Sequence, residues 1–231
     1  IRLAQQQEAG HSRSDSASET NPAPLLTELG CNTCHSGLSD TISIRSKAPH
    51  LGFAGTKFNS SYLFDYLLNP VKVRQHIGHA RMPDFNFTEE ESLALTLFLS
   101  TQKEIGAHWP DFPKLTSGGL FSKRGNPANG EKLLSELTCL TCHNLEAEGN
   151  PMILDLASTA YRMKEDWVKQ YLVAPYIFNG PQTTMPSLFY HINEDSSRFN
   201  QVMEEAPEKI NDLVAYLYSL SENKAEELKK N

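Results

Sequence analysis

The sequence predicts an all-α protein whose chain is made of two similar halves. One short cysteine-containing motif occurs twice, 108 residues apart, and the segments after each copy follow in the same order. These segments carry helix start and stop signals in both halves. No alternating apolar and polar pattern of useful length indicates a β-strand. Together these observations indicate a duplicated helical unit.

The predicted organisation has five parts. Residues 1–24 are polar and rich in Ser and Gln, which indicates a flexible N-terminal tail or tether. Residues 25–102 and 126–222 form the two domains. Residues 103–125 contain Pro and Gly without a helical period and are predicted to link the domains. Residues 223–231 form a charged C-terminal tail.

A short helix is predicted directly before each copy of the motif. In the second half, Asn126 suits the N-cap of this helix and Pro127 suits its first turn. A middle helix follows over 60–70 in the first half and over 164–175 in the second. Both middle helices end at a proline, which a helix interior does not tolerate.

A closing helix is predicted near the end of each half, over 88–102 and 207–220. Thr88 and Glu91 have the spacing of a capping box at the start of the first of these helices. Pro207 suits the first turn of the second.

All the cysteines of the chain fall within two Cys-x-x-Cys-His motifs. The residues are Cys31, Cys34 and His35 in the first half, and Cys139, Cys142 and His143 in the second. This spacing is typical of c-type haem attachment, in which each thiol forms a thioether with a haem vinyl group and the histidine binds the iron. The sequence therefore predicts two covalently bound haem c groups.

Three other interpretations of the cysteines explain less. A zinc site would have to combine pairs about a hundred residues apart, and both pairs would be followed by histidine without reason. A thioredoxin-like redox pair requires a βαβ context that the sequence lacks. Disulfides would leave both histidines unexplained.

The second axial ligand of each iron is predicted to be a methionine. Met82 lies 47 residues after His35, Met185 lies 42 residues after His143, and both precede a proline. A thioether opposite a histidine is a soft, neutral ligand that favours ferrous iron. His76 and His79, in the loop before Met82, remain alternative ligands in the first half.

The proline-containing loop after each motif is expected to hold the proximal histidine. A backbone carbonyl there can accept the imidazole N–H and so fix the orientation of the ring. Pro49 is the candidate in the first half. Pro151 is the weaker candidate in the second, because its loop is longer.

The order of motif, proline loop, middle helix, Met-Pro and closing helix resembles class I cytochrome c domains. The resemblance covers roughly 22–102 and 126–222. It implies two tandem domains, each wrapped around a haem, and an aromatic residue of the closing helix packed on a glycine of the first helix. Gly130 and Tyr216 match that pair in the second half, whereas Phe98 has no evident glycine partner. The His-to-Met spacing and the linker depart from the best-known dihaem members, so no subfamily is assigned.

This resemblance implies an electron carrier with no catalytic residues that transfers single electrons between redox partner proteins. One alternative is a dihaem enzyme of the peroxidase or sulfur-oxidising type, although the chain has no spare cysteine for the latter. Another is an electron-transfer module of a larger membrane respiratory complex. These alternatives differ in partner or in chemistry, and the sequence leaves them open.

Composition and charge narrow the range of partners and locations. The net charge of −7 argues against nucleic acid as a partner. The chain contains no apolar run long enough for a transmembrane segment. Thioether attachment implies maturation outside the cytoplasm, so a periplasmic or other extracytoplasmic location is expected, and a membrane tether through a missing N-terminal segment is an alternative.

Overall fold

The structure is a computed structural model, and it describes residues 22–38, 48–70, 82–103, 124–146, 148–150, 153–179, 183–192 and 199–220. The described part is mostly helical, as the sequence predicts. Residues 1–21 of the predicted N-terminal tail, the predicted C-terminal tail and most of the predicted linker lie outside these ranges. The predicted tail boundary at 24 is wrong, because a helix begins at Pro22. None of the described helices is long and apolar enough to cross a membrane.

The first half contains five α-helices within its described residues. They are α1 (Pro22–Glu28), α2 (Cys31–Cys34), α3 (Ala54–Lys57), α4 (Ser60–Leu68) and α5 (Glu89–Thr101), with a 3₁₀ turn at Leu51–Phe53 before α3. The predicted capping box starts α5, because the Glu91 N–H donates to Thr88 Oγ1 at 3.2 Å and the Thr88 N–H donates to Glu91 Oε2 at 2.9 Å. The middle helix α4 ends just before Pro70.

The described part of the second half repeats this order. It contains α6 (Pro127–Glu136), a 3₁₀ turn (Cys139–Thr141), a 3₁₀ turn (Leu156–Ser158), α7 (Thr159–Arg162), α8 (Glu165–Val173), α9 (Pro175–Asn179) and α10 (Ala206–Ser219). Asn126 caps α6, since its Oδ1 accepts from the Ala128 N–H at 3.0 Å. Pro175 ends the middle helix, as predicted, and begins the separate short helix α9.

The second half also contains two short antiparallel hairpins that the sequence did not predict. Strand β1 (Asn144–Leu145) pairs with β2 (Glu148–Gly149), and β3 (Tyr190–Ile192) pairs with β4 (Phe199–Gln201). Strands of two or three residues are too short to produce a recognisable alternating pattern.

The buried apolar side chains of the described residues form two clusters, one in each half. We name them the first cluster and the second cluster. The first cluster contains Leu26, Leu51, Ala54, Phe58, Tyr62, Leu63, Leu67, Phe87, Leu95 and Leu99. The second cluster contains Leu133, Leu134, Trp167, Val168, Leu172, Val173, Ala174, Phe189, Tyr190, Ala206, Ile210, Leu213, Val214 and Leu217.

In the second half, α6 and α10 come into direct backbone contact at Gly130. A Cβ atom at Gly130 would lie 2.0 Å from the Asp212 carbonyl oxygen and 2.8 Å from Tyr216 Cβ, so only glycine fits there. The Asp212 carboxylate also accepts from the Asn126 N–H at 2.6 Å and from Asn129 Nδ2 at 3.2 Å. The pair of Gly130 and Tyr216 expected from the resemblance therefore lies at this helix crossing.

The two halves meet through segments that are equivalent in the duplication. The 3₁₀ turn, the short helix and the middle helix start at 51, 54 and 60 in the first half and at 156, 159 and 165 in the second, a constant offset of 105. Phe58 and Met163 occupy equivalent positions, and they form an antiparallel β-bridge with each other. An approximate two-fold axis therefore passes between these two residues.

Backbone hydrogen bonds on either side of this bridge obey the same symmetry. The Asn59 N–H donates to the Arg162 carbonyl at 3.1 Å, and the Lys164 N–H donates to the Lys57 carbonyl at 2.9 Å. Exchange of the two halves converts one bond into the other.

Side chains at the interface follow the same relation. Asn59 Nδ2 donates to the Ala160 carbonyl at 2.8 Å, and its equivalent, Lys164 Nζ, donates to the Gly55 carbonyl at 2.7 Å. Tyr161 adds a contact without a counterpart, because its hydroxyl donates to Asp65 Oδ2 at 2.6 Å. The interface therefore resembles that of a two-fold symmetric dimer, but it lies within one chain.

Candidate functional site

The two Cys-x-x-Cys-His motifs fold into similar single turns, the first as the short α-helix α2 and the second as a 3₁₀ turn. Each motif closes on itself through one hydrogen bond from the histidine N–H to the carbonyl of the first cysteine. This bond is 2.9 Å long between His35 and Cys31 and 3.0 Å long between His143 and Cys139. This bond spans a single helical turn, so it holds both cysteines and the histidine within one compact segment.

Each turn is preceded by a residue in the left-handed backbone region. Gly30 has φ of 68° and Thr138 has φ of 53°. Glycine adopts this conformation freely, whereas a β-branched residue does so with strain. The second motif therefore begins at a strained position that the first motif fills with glycine.

We expect Thr138→Gly to raise the free energy of unfolding by about 1 kcal/mol, because glycine removes the strain but adds entropy to the unfolded chain. Gly30→Thr is the matched reverse change. Its Cβ would meet only Thr33 Oγ1, at 3.5 Å, so the cost should arise from the backbone conformation and amount to about 1–2 kcal/mol. Urea unfolding followed by circular dichroism measures both. A lower free energy of unfolding in Thr138→Gly would show that the threonine side chain stabilises the fold by more than the left-handed backbone conformation destabilises it.

Both motif histidines are oriented by a backbone carbonyl. His35 Nδ1 lies 2.8 Å from the Pro49 carbonyl oxygen, and His143 Nδ1 lies 3.1 Å from the Leu154 carbonyl oxygen. Since a carbonyl only accepts, the Nδ1 atoms carry the proton and donate it. The Nε2 atom of each neutral ring is then left with a free lone pair, which is the form in which imidazole binds a metal.

The hydrogen bond expected from Pro49 is thus present, while its role towards iron stays a prediction. In the second half, the acceptor expected at Pro151 is wrong, because the Leu154 carbonyl accepts this hydrogen bond. Pro151 itself lies outside the described residues. The expectation of a longer loop in the second half is also wrong, because Leu154 follows His143 by 11 positions whereas Pro49 follows His35 by 14. With the offset of 105 between the two halves, Leu154 is the equivalent of Pro49.

Burial favours the neutral form of both rings. It lowers the pKa of His35 and of His143, and the hydrogen bond to Pro49 or Leu154 offsets this in part. A neutral imidazole at neutral pH does not have to lose a proton before it binds a metal.

Each motif has one half-buried and one exposed cysteine, and none of them forms a disulfide. Cys31 packs against the first cluster and Cys139 against the second, and burial raises the pKa of both thiols. Cys34 and Cys142 are exposed. The two thiols of a motif therefore face an apolar and an aqueous environment, respectively.

The two methionines predicted as ligands lie on the same apolar clusters as the motifs. Met82 packs against the first cluster, as Cys31 does, and Met185 packs against the second, as Cys139 does. Each half therefore places a cysteine of its motif and its Met-Pro methionine on one core. The alternative ligands, His76 and His79, lie outside the described residues.

The second motif is held by a loop whose importance the sequence did not reveal. The Asn150 N–H donates to the carbonyls of Leu140 and His143, at 3.1 and 2.9 Å, and its Nδ2 donates to the Thr141 carbonyl at 3.1 Å. Gly149, with φ of 89°, would place a Cβ only 2.4 Å from the His143 carbonyl oxygen. The sequence Gly-Asn, a common turn signal, was the available clue.

Within the described residues, no group of three or more His, Cys, Asp or Glu side chains is placed to hold a metal ion. Comparison with protein-family models, with curated proteins and with solved structures finds no match for the chain. The site is therefore interpreted from its own residues and geometry.

Proposed function

We propose that this protein is an extracytoplasmic dihaem c-type cytochrome that transfers single electrons between redox partner proteins. The observation that carries the proposal is the matched setting of two histidines. His35 and His143 each follow a Cys-x-x-Cys pair, and each donates its Nδ1 proton to a carbonyl of the loop that follows. One such arrangement could be incidental, but its repetition at equivalent positions of a duplicated chain supports a shared function.

The residues proposed to hold the two haem c groups are equivalent in the two halves. They are Cys31, Cys34, His35 and Met82 for the first, and Cys139, Cys142, His143 and Met185 for the second. A bound haem c supplies one-electron chemistry between ferric and ferrous iron. No catalytic residue is assigned.

The protein's own part is to fix the ligands and to exclude water. The Pro49 and Leu154 carbonyls hold the imidazole rings in one orientation and increase their basicity as ligands. The apolar clusters beneath Met82 and Met185 provide a water-poor setting for a soft, neutral thioether. With His35 and Met82, and His143 and Met185, as the ligands, neither iron would keep an open position for a substrate, which favours electron transfer over a dihaem enzyme.

The electron-transfer proposal extends to partners and location. Formation of thioether bonds requires maturation outside the cytoplasm, so a periplasmic or cell-surface protein is proposed. The net charge of residues 123–225 is −5, against −1 for residues 25–105, so a basic redox partner is proposed for the second half. A membrane respiratory complex is one such partner.

The test is the intact mass of the denatured full-length chain after expression with a bacterial cytochrome c maturation system. We expect the 25.9 kDa chain plus the mass of two haem groups, and peroxidase staining of the denatured band. The double variants Cys31→Ser/Cys34→Ser and Cys139→Ser/Cys142→Ser should each retain one haem. An unmodified chain that binds zinc would overturn the proposal.

A further inference from the structure

A cation from each half of the chain lies over an aromatic ring of the other half. Lys57 Nζ lies 4.6 Å from the centroid of the Trp167 ring, and Arg162 Cζ lies 5.5 Å from the centroid of the Tyr62 ring. With the offset of 105, Lys57 is equivalent to Arg162 and Tyr62 is equivalent to Trp167. The two contacts are therefore one interaction, repeated across the approximate two-fold axis.

Arg162 belongs to the second half by sequence but lies against the core of the first. Arg162 is 8% exposed. It packs on Tyr62, which is 6% exposed and belongs to the first cluster. Cys31 and Met82 pack against this same cluster. Buried Arg162 Nε has no hydrogen-bond partner among the described residues. Its charge is thus poorly screened by water and lies against the same apolar cluster as Cys31 and Met82.

Lys57 lies over Trp167 of the second half, and its Nζ is also 5.0 Å from the centroid of the Phe58 ring in the first cluster. Trp167 is 4% exposed and belongs to the second cluster, against which Cys139 and Met185 pack. Lys57 is half-buried, so its charge is more hydrated than that of Arg162. Its effect on the second site should therefore have the same sign and a smaller size.

A nearby positive charge favours the reduced form of an iron site, because reduction adds a negative charge. The interaction is strong where water is excluded and weak where the charges are hydrated. A buried cation therefore raises the reduction potential of the site that it faces.

We propose that the redox sites of this protein are tuned crosswise, with Arg162 raising the potential of the first site and Lys57 raising that of the second. This inference rests on the proposed function, since it concerns the two haem groups. It also goes beyond it, because it assigns to each half a residue that controls the other half. Arg162 and Lys57 act on the redox sites through their positive charge and do not bind the iron.

The test is a spectroelectrochemical titration of the full-length holoprotein and of Arg162→Gln and Lys57→Gln. The two reduction waves are first assigned in Met82→His and Met185→His, each of which should lower the wave of its own half. We expect Arg162→Gln to lower the first wave and leave the second in place, and Lys57→Gln to lower the second by a smaller shift. A shift confined to the half that carries the substitution, or no shift in either variant, would overturn the crosswise assignment.

Charge-conserving variants separate electrostatics from structure. Arg162→Lys and Lys57→Arg should keep the parent potentials, whereas a purely structural effect would appear in them as well. Should Arg162→Gln fail to fold, Lys57→Gln at its half-buried position decides the proposal by itself. The intact mass is recorded for each sample, so that loss of covalent haem, which would contradict the proposed function, is distinguished from an unshifted potential, which would contradict only the crosswise control.

Discussion

Gly130→Val is expected to destabilise the second half of the protein by about 3 kcal/mol or more, the upper range for overpacking a tight contact. The first β-carbon would lie 2.0 Å from the Asp212 carbonyl oxygen, so α6 and α10 would have to separate. This separation would also weaken the hydrogen bonds from Asn126 and Asn129 to the Asp212 carboxylate. Thermal and urea unfolding followed by circular dichroism measure the loss.

Glu131→Val is the matched control for this change. Glu131 is the next residue of α6 and is exposed, so the control introduces the same β-branched side chain into the same helix without the backbone contact. Its cost should stay within about 0.5 kcal/mol, as for ordinary surface changes. Equal stabilities of the two variants would show that the crossing at Gly130 tolerates a side chain.

In the proposed dihaem protein, Met82→Ala and Met185→Ala would each open one iron to external ligands. Loss of the thioether should remove half of the weak far-red band of the oxidised protein and allow carbon monoxide to bind to half of the reduced haem. The reason is that alanine has no donor atom, so the sixth position is left to solvent or to the added ligand. Optical spectra with and without carbon monoxide measure both effects.

Met203→Ala is the control for the packing part of this effect. Met203 also packs against the second cluster, but it is not followed by proline and has no assigned role at iron. Its removal should leave the spectra unchanged. An unchanged spectrum for Met82→Ala would instead assign the ligand to His76 or His79, as the sequence alternative allows.

The sequence predicted those features that a few neighbouring residues decide. The capping box of Thr88 and Glu91, the cap at Asn126 and the stop at Pro175 all depend on contacts within one turn, and all are present. The proposed ligand sets come from motif spacing in the same way and stay predictions. The carbonyl of Pro49 was found because the acceptor in the first half is itself the proline of the loop.

Features that depend on distant residues were not predicted. In the second half the acceptor is not the proline of the loop, so the prediction pointed to Pro151 although the Leu154 carbonyl accepts the hydrogen bond. Lys57 and Arg162 appear in the sequence as ordinary surface charges, because their aromatic partners lie about a hundred residues away. The antiparallel bridge of Phe58 and Met163 joins two isolated positions and has no local pattern.

Fusion of two copies into one chain allows a form of symmetry breaking that a homodimer cannot have. A homodimer repeats one residue on both sides of its axis and so gives its two sites identical surroundings. Here Asn59 and Lys164 are equivalent, yet one offers a neutral amide to the opposite half and the other an ammonium group. Among the described contacts, the cations Arg162 and Lys164 of the second half contact the first half, whereas Lys57 is the cation of the first half that contacts the second. If each half holds a haem as proposed, this inequality would favour reduction of the first site over the second and would give electron transfer between them a direction.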